Sequence, residues 1–349
     1  MENTMESRDL RKARNKVKLV KFFLSSEFIS VLFILAISII TYSINPKFFT
    51  GANLLMLLRN CSFVGIMSIG QALIIMSGEM DLSTTGVGGF ACIIYGVMCI
   101  WNTYPSWVGL LVAAFFACAM GFLNGFLMLK VGVMKWVATL ATSSVCTGLG
   151  TYLCMGVPIT PVPEDIGDFA AIQIGRDFFT WLSGGTNRGM GISILFLIFV
   201  GMLVIAHIIL RYTKYGRMIQ ASGISANSAY MAGVNVKRVK WICLIFVSLL
   251  SFSASILSCF RQRTVTMSGI TNFRSIAACY IGGIGFVGST GSMGGLFLGI
   301  LLMSLIQNAL TSIGWDPNLQ TALVGAMLMI VLTVDVYKRR YMASRIDLI

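Results

Sequence analysis

Charge is what this sequence has least of. Only 11% of its 349 residues are Asp, Glu, Lys or Arg, against roughly 25% in an average soluble domain. Too few polar groups remain to coat a water-facing surface, which excludes an ordinary soluble enzyme, a disordered chain and a nucleic-acid binder. Histidine is nearly missing, with His207 the single copy, so HExxH, which needs two, is excluded, and no Ser-His-Asp set is visible. No GxxxxGK[ST] phosphate loop occurs, and the nine cysteines form no CxxC pair. Their count is odd and all nine lie in or beside apolar runs, so they read as small packing residues. Prolines are few, six in all.

What is present is apolar. Hydrophobic residues make up 56% of the chain, and 36 glycines suit helices that approach closely in lipid. A membrane-spanning helix needs about 20 apolar residues. Ten segments qualify or nearly do: Phe28–Ile44, Leu54–Ser77, Ser83–Ile100, Trp107–Leu129, Trp136–Met155, Gly191–Leu210, Trp241–Cys259, Ile276–Gly288, Met293–Ile313 and Leu319–Val336. The first follows a basic stretch, Arg8 to Lys21, but it is long for a signal sequence and no small-residue cleavage site follows it, so it reads as a retained span. With the N-terminus inside, nineteen of the 26 basic residues fall on inside segments. The positive-inside rule therefore places both termini in the cytoplasm. The expected fold is an all-α polytopic membrane protein: a basic segment 1–27, a transmembrane domain 28–336 and a tail 337–349.

Two connections are long. The stretch 156–190 is external and carries Glu164, Asp165, Asp168 and Asp177. The stretch 211–240 is internal; Ser225 suits an N-cap, the next seven residues a short helix, and Gly233 its stop. Two enzyme-like strings fail on context. Gly283-Ile284-Gly285-Phe286-Val287-Gly288 spells GxGxxG inside an apolar span with no βαβ unit, and Leu182-Ser183-Gly184-Gly185-Thr186 lies in the external loop.

The informative polar segment is Gly78-Glu79-Met80-Asp81-Leu82-Ser83, which sets two carboxylates between two apolar spans. Ionised acids inside a bilayer face a cavity, a partner or an interface. Gly78, Gly86, Gly88 and Gly89 suggest a broken or re-entrant helix here, and the cluster Gly282 to Gly295 interrupts later spans in a comparable way; paired interruptions point to a transport path. A hydrated cytoplasmic turn is the plainer alternative. Asn124 sits within Gly121-Phe122-Leu123-Asn124-Gly125, where helix packing competes with binding. Two close carboxylates repel, and no basic residue lies on the same span. Glu79 therefore needs a partner from elsewhere in the fold or from a second subunit, and the latter suggests pairing with a different chain that is not acidic at this position.

The order of short motifs resembles the permease subunit of ribose-type importers driven by ATP-binding-cassette (ABC) ATPases. The likeness runs from Asn45-Pro46-Lys47-Phe48-Phe49-Thr50, Asn53-Leu54 and Arg59 through Asp81-Leu82-Ser83, Asn124-Gly125, Val131-Gly132-Val133 and Ala138-Thr139-Leu140. It continues with Gly148, Gly156, Pro158, Ile159, Gly216-Arg217, Gly223 and Gly233-Val234-Asn235-Val236-Lys237, and closes with Asn308, Gly314, Pro317, Gln320 and Gly325. Departures occur at Glu79, where the family has glycine, at Thr84-Thr85, at Lys135, where it has proline, and at Gly285-Phe286-Val287 and Thr290.

This resemblance implies a type II-like import permease for a monosaccharide, multi-pass in a bacterial cytoplasmic membrane and itself not an enzyme. Implied partners are an ABC ATPase, a second permease subunit (identical or homologous) and an extracytoplasmic sugar-binding protein, with the lipid bilayer around them. The chain needs no cofactor; ATP and Mg belong to the ATPase. Glu79, Asp81, Ser83, Asn124, Thr139 and Asn308 are the expected pathway residues, and Gly216, Arg217, Gly223, Gly233, Asn235 and Lys237 the expected ATPase-coupling residues. Import of a nucleoside or of an autoinducer-2-like metabolite is the alternative within this class. An ion-coupled secondary transporter using Glu79 and Asp81 is the alternative outside it.

Overall fold

The computed structural model describes residues 26–160, 194–262, 264–267, 272–285, 291–316 and 318–327, together with 329, 330, 333 and 337. The N-terminal basic segment, most of the external loop with its four acids, residues 286–290, Pro317 and the tail beyond 337 lie outside the described residues. The described chain is helical: α1 (Ser26–Ile44), α2 (Gly51–Met76), α3 (Thr84–Gly96), α4 (Ser106–Phe126), α5 (Lys135–Leu153), α6 (Ile194–Tyr212), α7 (Lys214–Ile224), α8 (Ala226–Met231), α9 (Val236–Gln262), α10 (Asn272–Ile281) and α11 (Met293–Ile313). Residues 318–327 are helical again. Wider π-type turns, Val97–Trp101 and Leu127–Val131, extend α3 and α4. The one extended pairing among the described residues is an antiparallel bridge between Ile159 and Val265, which sets the start of the long loop beside the segment after α9.

Seven of these helices are long and apolar enough to cross a membrane: α1, α2, α3 and α4 with their extensions, α6, α9 and α11. Helix α5 has the length, about 28 Å at 1.5 Å per residue, but Thr139, Thr142, Ser143, Ser144, Thr147 and Thr151 dilute its apolar character. Helix α10 has only ten residues.

Local chemistry fixes the helix starts. Thr213, Ser225 and Ser292 each accept a hydrogen bond from the backbone N–H three residues on, at 3.4, 3.2 and 2.9 Å. The Ser225 cap and the left-handed Gly233 (φ +83°) bound α8 as the sequence suggests. Helix α7 before it is not anticipated: Gly216-Arg217 lies inside a helix and not in a loop, because Thr213 supplies a cap.

The centre of the fold is α3, in which every residue except Thr85 is buried. Its glycines do not break the helix, contrary to the sequence reading. A Cβ on Gly86 would fall 2.5 Å from the Ser143 carbonyl of α5, and one on Gly88 2.5 Å from Ser255 Oγ of α9. They are contact faces that let neighbouring helices close on α3; the interruption is confined to the linker 77–83. Helices α2 and α9 pack antiparallel: Gly70 meets Val247 midway, Asn60 meets Arg261 at one end, and Glu79 meets Lys240 at the other. Large apolar side chains such as Leu32, Ile39, Trp107, Phe115, Val145 and Ile205 point outward from the bundle, the surface expected of helices in lipid.

Candidate functional site

The linker between α2 and α3 gathers the polar groups. Gly78 turns the chain out of α2 with a left-handed backbone (φ +81°), a conformation suited to glycine. It comes to rest against Gly223 of α7, close enough that an added Cβ would lie 3.4 Å from the Gly223 Cα. Asp81 Oδ1 accepts from Ser83 N at 2.7 Å and from Ser83 Oγ at 2.6 Å, an Asx turn that launches α3. Asn124 of α4 donates to the same hydroxyl at 2.8 Å. Gln71 of α2 donates to the Asp81 carbonyl at 2.6 Å and to Thr84 Oγ1 at 3.3 Å, and Ser251 of α9 donates to the Thr84 carbonyl. Four helices are thus tied to one short linker. Burial pushes the Asp81 carboxyl above the usual carboxylate range, while the two Ser83 bonds oppose that shift.

Glu79 is held differently. Its side chain is 2% exposed and lies between two lysines: Lys240 Nζ is 2.6 Å from Oε1, and Lys135 Nζ is 3.0 Å from Oε2. Lys135 also donates to the Gly78 carbonyl at 2.9 Å. The partners that Glu79 requires therefore come from this same chain, from the first residue of α5 and the first turns of α9. That overturns the argument for a non-acidic second permease, since no intersubunit charge is needed. It also brings together two departures from the ribose-type pattern, Glu79 and Lys135, as one ion pair.

Of the expected pathway residues, Glu79, Asp81, Ser83 and Asn124 converge here. Thr139 is buried, but its hydroxyl donates within α5 to the Lys135 carbonyl at 3.0 Å. Asn308 lies at the opposite end of α2, about 35 Å away by helix rise, in a reciprocal amide pair with Asn53 at 2.9 and 3.0 Å. Gln71, Lys135 and Lys240 belong to the site and are missed by sequence reasoning; the signal available for Lys135 was its replacement of a family proline.

The expected coupling residues form a second group against the first. Gly216 is wedged beneath the last carbonyls of α6, where a Cβ would fall 2.3 Å from the Leu210 oxygen. Gly223 lies beside Gly78, with room for one methyl group between them. Asn235 Oδ1 accepts from Arg238 N at 3.1 Å and caps α9. Arg217, Gly233, Asn235 and Lys237 are at the surface. No group of three or more His, Cys, Asp or Glu able to hold a metal occurs among the described residues. All nine cysteines are free, and all but the half-buried Cys118 are buried.

Comparison with known proteins places these features in a family. The profile described as branched-chain amino acid transport system, permease component, matches residues 53–332. A xylose/arabinose import permease of Sulfolobus acidocaldarius is 28% identical over 318 residues, covering 87% of this chain and 83% of its own. A ribose import permease of Bacillus subtilis is 27% identical over 306 residues, covering 87% and 90%. A fructose import permease of Rhizobium meliloti is 25% identical over 338 residues, covering 93% and 90%.

Proposed function

This chain belongs to the permease-component family of branched-chain amino acid transport systems, a transport component and not an enzyme, and on that premise we propose that it imports a monosaccharide as the membrane subunit of an ABC transporter. The observation that carries the reading is the near-full-length likeness to permeases for xylose/arabinose, ribose and fructose. In this reading ten spans cross a bacterial cytoplasmic membrane with both termini inside, and two permease subunits enclose the path. A separate ATPase binds ATP and Mg, and an extracytoplasmic binding protein delivers the sugar.

The geometry supports a division of labour. Surface residues Arg217, Gly233, Asn235 and Lys237 on and around α7–α8 receive the ATPase. Through Gly223 that segment presses on Gly78, and the linker passes motion to Asp81, Ser83 and Asn124.

The test is uptake by proteoliposomes holding this permease, its ATPase and the binding protein, offered labelled pentoses, hexoses, nucleosides and leucine. ATP-dependent accumulation of one sugar is expected. Leucine or nucleoside accumulation overturns the sugar assignment. Sodium- or proton-driven uptake by the chain alone overturns the importer.

A further inference from the structure

We infer that Glu79 is a positioning residue of the transport cycle: one buried carboxylate that locks the linker 77–83 to α5 and α9, so that displacement of the coupling segment reaches the polar core. The inference rests on the importer reading above.

The coupling segment approaches the linker at two places. Near its middle, at the end of α7, Gly223 lies beside Gly78. At its far end the chain turns at Gly233, enters α9, and within two turns presents Lys240 to Glu79 at 2.6 Å. The segment is therefore clasped to two adjacent residues, Gly78 and Glu79. At Gly78 the two backbones lie side by side with room for a methyl group between them, so they can shift past one another. The Glu79 contact cannot slide cheaply, because separating it leaves a 2%-exposed carboxylate without its closest cation. Lys135 closes the arrangement from α5 by binding both the Glu79 carboxylate and the Gly78 carbonyl. Two residues beyond Glu79, Asp81 holds Ser83, and Ser83 holds Asn124. Two sets of polar contacts, Lys240–Glu79–Lys135 and Asp81–Ser83–Asn124, are thus joined by the short backbone stretch from Glu79 to Asp81 and connect α9 to α4.

The experiment compares Glu79→Gln, Glu79→Asp, Lys240→Met and Glu79→Gln/Lys240→Met in the reconstituted complex. Glu79→Gln keeps nearly the same volume and removes the charge. It should leave assembly and the concentration of loaded binding protein for half-maximal ATPase stimulation unchanged. Maximal stimulation and solute moved per ATP should fall roughly fivefold or more, the range of a typical coupling energy. Glu79→Asp should recover part of that loss, and the double variant should resemble Glu79→Gln, because each partner acts through the other. If Lys240→Met alone fails to assemble, the double variant, which leaves no bare carboxylate, carries the comparison. Unchanged stimulation and stoichiometry in Glu79→Gln overturn the inference, as does a loss that merely follows lowered thermal stability. A wild-type complex that hydrolyses ATP without moving solute overturns the importer reading instead.

Discussion

The antiparallel pair α2–α9 ends in two unlike ways. At the Glu79 end, a buried carboxylate sits between two lysines, and each of its oxygens faces a cation. At the other end the side chains are cationic and amidic. Arg261 donates to Asn60 Oδ1 at 2.8 Å and lies over the Phe63 ring, with Arg59 near enough to repel it, while Arg274 donates to Gln307 Oε1 at 2.8 Å. Among the described residues, the carboxylate at one end is neutralised by lysines, and Arg261 and Arg274 at the other bond to neutral amides. Neutralised charge in a buried site makes a joint between elements of one chain. Arginines held by neutral amides keep their charge available to another molecule.

The largest effect should come from breaking the joint. Lys240→Met leaves Glu79 facing only the half-exposed Lys135 and should lower stability by about 3–5 kcal/mol, the usual cost of baring one partner of a buried pair. The matching change at the other end, Arg261→Met, loses a bond to a neutral amide and should cost about 1 kcal/mol. Thermal unfolding of the detergent-solubilised chain measures both. Equal losses would erase the distinction between the two ends.

Much of this contrast is illegible in the sequence. Apolar runs mark seven long helices to within about five residues, Met293–Ile313 with the same bounds, while the run Ile276–Gly288 contains only the end of the ten-residue α10; Ser225 and Gly233 frame α8 through cap chemistry that is local. The partners of Glu79 are not local. Lys135 lies 57 positions from the Gly78 carbonyl it binds, and Lys240 lies 161 positions from Glu79, so neither periodicity nor spacing links them. The glycines of α3 mislead for a related reason. A glycine that breaks a helix and one that admits a neighbouring backbone look alike until the neighbour, here Ser143 or Ser255, is placed.

A middle-sized effect should separate the two carboxylates of the linker 77–83. Asp81 works through geometry: Oδ1 takes two bonds from Ser83 and starts α3. Asp81→Asn retains an acceptor oxygen and should change stability by less than about 1 kcal/mol, whereas Asp81→Ala loses the turn and strands the Ser83 groups, at about 1–3 kcal/mol. Glu79, by contrast, works through charge. An Asn variant as damaging as the Ala variant would mean that the charge of Asp81 matters as well.

At the arginine end the expected effect is on rate. Replacing Arg261 and Arg274 with Gln should slow association of an acidic partner by up to about tenfold at low salt, with the difference shrinking as Debye screening shortens the field. Stopped-flow binding of the delivery protein at two ionic strengths reads this. A salt-independent difference would point to lost packing and not to steering.

The smallest effect belongs to Lys135, and it tests whether the two lysines around Glu79 are equivalent. Their distances to the carboxylate differ little, 3.0 against 2.6 Å, but their surroundings differ greatly: the Lys135 side chain is 51% exposed and that of Lys240 is 11%. Water screens an exposed pair and gives the carboxylate a substitute partner when the ammonium is removed, so exposed pairs contribute roughly 0–1 kcal/mol. Lys135 also donates to the Gly78 carbonyl, an acceptor at a solvent-reachable edge that water can serve after the change. Lys135→Ala should therefore cost less than about 1 kcal/mol, and the loss should shrink further in high salt, since Lys240 still neutralises Glu79. Thermal unfolding at low and high ionic strength decides the matter. A loss as large as that of Lys240→Met would mean that the ordering by exposure is wrong and that Glu79 depends on both cations together.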